Sequence, residues 1–138
     1  MKTTKKDCPC GSGALYKDCC GPLHAGKAAA PTPEALMRSR FSAFARGEVG
    51  YLVRTLDPEH EDRALGEAAL TLALRETCSR LRFMGLAVLD ARERGDEGEV
   101  TFRAKVFDKG KDVSFTERSE FRRRGGAWVY VGPLPERS

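Results

Sequence analysis

The sequence predicts an α+β fold, with helices packed inside a curved antiparallel sheet and a small cysteine-rich knuckle ahead of them. Three observations predict it. Apolar residues recur at helical spacing between residues 33 and 80, then alternate with a period of two between 83 and 131. Helices followed by a meander of strands segregate into an α+β layer arrangement, and a long twisted sheet curls round the helices it covers. Ahead of both, Cys8-Pro9-Cys10 and Cys19-Cys20 crowd four cysteines into the first twenty residues.

That spacing gathers four sulfurs round one ion. Zn2+ takes a tetrahedron of thiolates at about 2.3 Å, and a structural site fills all four positions and leaves none for substrate. Pro9 fixes one backbone angle between Cys8 and Cys10, so their sulfurs converge across a tight turn. Gly11 and Gly13 let the chain reverse through conformations closed to other residues. Cys19 and Cys20 are neighbours, which requires turned or helical backbone, because a strand points neighbours to opposite faces. Leu15 and Tyr16 are the expected apolar lid. Two disulfides are the alternative use of four cysteines. The opening Met1-Lys2-Thr3-Thr4-Lys5-Lys6 has no apolar run after its charges, so a reducing, cytoplasmic setting is expected and metal ligation is favoured. His24 follows Cys20 by four residues and is a substitute ligand. A full set of thiolates makes it redundant, so a solvated loop position is expected for it.

The elements follow in order. Residues 21–33 carry glycines and prolines and read as a connector, dividing a knuckle at 1–27 from a body at 28–138. Thr32 is an N-cap, Pro33 suits the first helical position and Gly47 a helix end, which predicts a helix over 33–46. Leu36, Met37, Phe41 and Phe44 form its apolar stripe, with Arg40 inside it. A short helix is expected over 49–56 and a third over 61–80, the last with Leu65, Ala69, Leu70, Leu72, Leu74 and Cys78 as a wide apolar surface. Strands are expected at 83–93, 99–108, 113–124 and 127–131. They are joined at Arg94–Gly98, Lys109–Lys111 and the two-residue Gly125-Gly126. Val100, Phe102, Ala104 and Val106 share one face, as do Val113, Phe115 and Phe121.

Size and charge narrow the function classes. A chain of 138 residues and 15.2 kDa holds one ordinary domain plus the knuckle. No apolar stretch approaches the roughly 20 residues that cross a bilayer, so no membrane role is expected. The net charge of +4 is concentrated at the start, where residues 1–27 carry five lysines against two aspartates. Four thiolates on one Zn2+ leave a net −2, which part of that excess offsets. Direct nucleic-acid binding through Lys5, Lys6 and Lys17 is therefore an option and not a requirement. Arg122-Arg123-Arg124 is expected to be a solvated strand end.

The remaining polar residues pose a burial question. Glu117 and Ser119 share a strand face with Phe115 and Phe121, so both point inward. A buried carboxylate needs a cation, and Arg40 predicts an ion pair with Glu117 that ties helix to sheet. Solvated positions at the rim are the alternative. A carboxylate held by arginine is a poor general base near neutral pH, so the pair reads as architectural. His60, in the charged run 58–62, is expected in solvent, and Cys78 as a buried inert thiol. Trp128 and Tyr130 share a strand face and are expected to pack in the core or at the cone mouth.

The segment Cys-Pro-Cys-Gly-Ser-Gly-Ala-Leu-Tyr-Lys-Asp-Cys-Cys at 8–20 resembles the SEC-C motif, best known as the zinc-binding tail of the SecA translocation ATPase. Ala30 to Phe44, Gly85-Leu86, Glu117-Arg118-Ser119 and Trp128-Val129-Tyr130 resemble the YchJ family of small bacterial proteins. The resemblance implies a SEC-C knuckle joined to a nuclear-transport-factor-2-like, or cystatin-like, cone. Since the motif helps SecA engage partner proteins, it also implies docking. The expected function is thus a non-enzymatic zinc protein whose knuckle engages a protein or ribonucleoprotein partner. The alternative is a small-molecule or enzymatic pocket in the cone lined by Arg40, Glu117, Tyr51 and Trp128. A cavity of about a few hundred cubic ångströms with convergent polar groups is the mark of the alternative, and a filled core that of docking.

Overall fold

In the computed structural model, which describes residues 7–135, the cysteine segment closes with a 3-10 turn, Tyr16–Asp18, and the helix α1, Cys20–His24. Helix α1 takes up the start of the expected connector. Its proline, Pro22, falls in the first turn, where no backbone donor is lost to the helix.

Thr32 Oγ1 accepts from Ala35 N at 3.0 Å, and Gly47 turns the chain away with φ of 75°. These two residues fix α2 at Pro33–Arg46, as the sequence predicts. Its first turn sits hard against the sheet: a Cβ on Gly98 would stand 2.2 Å from Pro33 Cγ, so only glycine admits the helix there. Helix α3, Val49–Arg54, stops two residues short of the expected end. Leu56 leaves it to form a parallel bridge with Tyr130, where Asp57 N donates to Tyr130 O at 2.9 Å and Tyr130 N to Thr55 O at 2.8 Å.

The third expected helix divides. Gly66, with φ of 88°, separates a 3-10 turn, Glu61–Leu65, from α4, Glu67–Arg80. Only a narrow strip of α4 is covered. Leu70 is buried, and Leu74 and Cys78 one and two turns on are half-buried. Leu65 and Leu72 are 59% and 63% exposed, so the wide apolar surface expected from the sequence is not covered among the described residues.

Five antiparallel strands follow: β1 (Leu81–Arg94), β2 (Glu97–Asp108), β3 (Lys111–Asp112), β4 (Phe115–Arg124) and β5 (Ala127–Pro133). The order is β1-β2-β4-β5, with β3 paired to β2. The expected strand at 113–124 is interrupted because Ser114 Oγ accepts from Val106 N at 3.0 Å and takes a place in the ladder. Register shifts at Phe83/Gly85, Val88/Asp90 and Glu120/Phe121 add twist, which curls the sheet round α2. On its concave face Val100, Phe102, Ala104, Val106, Phe121 and Trp128 meet Leu36, Met37, Phe41 and Leu52. No helix among the described residues is long and apolar enough to cross a membrane.

Candidate metal centre

The turn predicted for the cysteines forms. Cys8 N donates to Ala14 O at 2.9 Å and Gly11 N to Cys8 O at 3.2 Å, with Gly11 and Gly13 at φ of 80° and 87°. Cys19 ends the 3-10 turn and Cys20 begins α1, so the two neighbours reach one point. The sulfurs of Cys8, Cys10, Cys19 and Cys20 all lie within 4.8 Å of one another, with Cys10–Cys19 at 3.6 Å and Cys19–Cys20 at 4.0 Å. A tetrahedron with 2.3 Å metal–sulfur bonds has edges of roughly 3.8 Å, so the donor set fits a thiophilic ion. No sulfur of the four is bonded to another, and their mutual closeness is that of ligands about one ion.

The electrostatics call for a cation. Hydrogen bonds from the Cys10 and Cys20 thiols hold the Cys8 thiol far below its ordinary range. The same contacts with Cys10 and Cys8, reinforced by burial, push Cys20 far above it. Burial likewise raises Cys19. The thiolate form is favoured at Cys8, whereas contacts with neighbouring thiols and burial hold the protons on Cys20 and Cys19, and a dication among the sulfurs would displace those protons.

Helix α2 seats this cluster. Ser42 Oγ lies 3.6 Å from Cys8 Sγ, Arg38 Nη1 donates to Cys10 O at 2.9 Å, and the Arg46 guanidinium sits 3.7 Å from the Tyr16 ring centroid. From α3, Arg54 Nη2 donates to Leu23 O and His24 O at 2.9 and 2.8 Å, at the end of α1. Among the described residues, the cations that reach the knuckle from outside it are therefore arginines of the cone. Lys17 is exposed, and Lys2, Lys5 and Lys6 lie outside the described residues. Tyr16 packs on the sulfurs as the expected lid, whereas Leu15 is 37% exposed.

His24 is neither a ligand nor solvated, contrary to the expectation for it. It is buried, with Nε2 2.8 Å from Ser39 O and Nδ1 2.6 Å from Tyr16 Oη. A carbonyl only accepts, so Nε2 carries the proton and Nδ1 accepts from the Tyr16 hydroxyl. Tyr51 Oη, 2.7 Å from Ser39 Oγ, donates to it, because that hydroxyl gives its own proton to Leu36 O at 2.9 Å. The sequence shows no trace of this network except that Ser39, Ser42 and Ala43 are small residues one helical turn apart.

The expected Arg40–Glu117 ion pair does not form. Arg40, 6% exposed, donates from Nη1 to Leu52 O at 2.9 Å and to Thr55 Oγ1 at 2.7 Å, with its guanidinium 4.8 Å from the Tyr130 ring centroid. Burial draws its pKa down to about 10, so it stays charged at neutral pH. Glu117 Oε2 accepts from Ser119 Oγ at 2.6 Å and Tyr130 Oη at 3.3 Å. The carbonyl of Leu52 in α3 and the hydroxyl of Thr55 just beyond it engage Nη1 of the arginine before it reaches Glu117 on the sheet. Both residues still line one cavity of about 250 Å3, with Phe41, Phe83, Phe102 and Tyr130, so the cone is not the filled core expected of docking and carries the mark of the pocket alternative beside the knuckle.

Tyr51 and Trp128 line a different cleft, of about 430 Å3, beneath residues 26–30. The four residues grouped by sequence thus divide between two sides of the cone. Tyr130, on the strand face shared with Trp128, completes the first site. His60 is half-buried, caps the 3-10 turn by accepting from Asp62 N at 3.0 Å and stacks near Tyr130, so it is not the solvated residue expected. Arg122, Arg123 and Arg124 are ion-paired to Glu120, Asp96 and the Asp57–Glu59 pair, a laced strand end where a solvated one was expected. Cys78 is half-buried and burial pushes its thiol up, as expected of an inert cysteine.

Residues 6–22 match the SEC-C motif, and residues 32–133 match the family described as YchJ, middle NTF2-like domain. A UPF0225 protein of Corynebacterium efficiens is 46% identical over 133 residues, spanning 94% of each chain. One from Streptomyces coelicolor is 42% identical over 127 residues, spanning 90% of this chain and 91% of its own. The solution structure of a SEC-C motif containing protein from Rhodopseudomonas palustris superposes with a TM-score of 0.83 at 40% identity, covering 94% of this chain and 98% of that one. A Thiobacillus denitrificans chain assigned as a calcium/calmodulin-dependent protein kinase type II association domain shares the fold at TM-score 0.53 and 17% identity, covering 78% of this chain and 99% of that one.

Proposed function

This chain belongs to the UPF0225 family of SEC-C proteins with a YchJ-type NTF2-like domain, and we propose from that premise that it is a structural zinc protein whose knuckle docks a protein or ribonucleoprotein partner. The observation that carries the reading is the closed, all-sulfur donor set. Four thiolates favour Zn2+ over harder ions and leave no open position for substrate, so the metal shapes a surface and performs no reaction. The inner side of the knuckle is spent on α2 and α3. Its outer side, Ser12, Gly13, Leu15, Lys17 and Asp18, is exposed, and a bound ion would hold it rigid.

Metal analysis of reduced, purified protein should give one zinc per chain, and Cys8→Ser should lose it. Partner capture from lysate should then fail both for Cys8→Ser and for the metal-loaded surface variant Leu15→Asp. Capture unaffected by both substitutions would defeat the docking reading. Binding that falls steeply with salt would reassign the surface to nucleic acid.

A further inference from the structure

We infer that the cavity between α2 and the sheet is a binding site for a small ring-containing ligand of no net charge that carries adjacent hydrogen-bond acceptor and donor groups. It contains no knuckle residue, so it stands or falls apart from the docking reading.

Size and lining set the first part of that description. A dry cavity of about 150 Å3 already admits a benzene ring, so 250 Å3 takes a ring with a polar substituent. Phe41, Phe83 and Phe102 make the walls, and aromatic walls favour a flat apolar body.

The polar edge sets the rest. Arg40 is buried yet makes both its hydrogen bonds from Nη1, so among the described residues Nε and Nη2 have no protein acceptor. Glu117 takes both of its hydrogen bonds on Oε2 and leaves Oε1 without a donor among the described residues. One cation and one carboxylate thus face the same space, each with unused capacity and neither paired to the other. A ligand anion would gain at Arg40 and be repelled at Glu117, and a ligand cation the reverse. Neither side chain has an orphaned atom sealed from solvent, so water serves their unused positions, and an uncharged group that accepts from Arg40 and donates to Glu117 replaces that water at both at once.

Benzamide is a probe of this chemistry, having a ring, a carbonyl acceptor and an amide donor, and benzoate is its charged counterpart. Titrated into the zinc-loaded full-length chain, benzamide should shift amide resonances of residues around Phe41, Phe102 and Glu117, and benzoate should bind at least tenfold more weakly. In Glu117→Gln the repulsion is gone, so benzoate should gain about tenfold relative to benzamide. Ala104→Leu, which fills the cavity, should abolish both. Absence of benzamide shifts at the cavity, or benzoate binding as well as benzamide to the unsubstituted chain, would overturn the inference. So would an unchanged preference in Glu117→Gln, a readout that does not require the filled variant to fold.

Discussion

His24 shows how a single side chain joins two parts of the molecule. Its ring bridges Tyr16 of the knuckle and Ser39 of α2, and packs tilted against Tyr51 with centroids 4.7 Å apart. Burial holds its pKa below the ordinary 6.5, so the folded protein keeps it neutral. The unfolded chain protonates it below that value and then binds more protons than the folded one. Its share of stability is therefore complete above pH 6.5 and is lost as pH falls further towards the depressed folded value. Urea denaturation should show the native chain losing up to about 1 kcal/mol more than His24→Gln between pH 7.5 and 5.5. Equal losses would mean that His24 is solvated. Acid also competes for the thiolates, but that loss is common to both proteins and cancels in the comparison.

At the scale of elements, α2 is a beam with two working faces. Leu36, Met37 and Phe41 were legible as the cone face from their spacing, and the cap residues fixed both ends of the helix. The second face, Arg38, Ser39, Ser42 and Arg46, was not legible, because small polar residues at helical spacing read as solvent-facing until a partner surface is known. The Arg40–Glu117 pairing failed for a related reason. Sequence places both residues facing inward, but it does not reveal that the carbonyl of Leu52 and the hydroxyl of Thr55 reach the guanidinium first. Helix α4 is the reverse case, since its leucines outnumber the surface available to cover them. Leu70→Ala should cost about 2–4 kcal/mol and Leu72→Ala less than about 0.5 kcal/mol in denaturation experiments. A comparable loss from both would mean that a surface covers Leu72. The cysteine cluster was the most legible feature of all, since ligand type and spacing are fixed by the metal and not by the rest of the fold.

For the whole molecule, these contacts make the knuckle part of the cone. Arginines from α2 and α3 reach the knuckle's carbonyls and ring, Ser42 faces a cysteine sulfur, and the backbone at Gly11 lies close enough to β1 that an added Cβ would be 3.4 Å from Leu86 O. Ion binding and folding of the N-terminal segment should then be one equilibrium, with the metal's binding energy stabilising the docked arrangement. The decisive measurement is an amide spectrum and thermal melt of the full chain before and after a strong zinc chelator. Chelation should shift the resonances of Arg38, Ser39, Ser42 and His24 as well as those of the cysteines, and lower the melting temperature of the cone. An unchanged melt with shifts confined to residues 8–20, or a reduced protein that never held stoichiometric metal, would contradict a metal centre that fastens the two parts together.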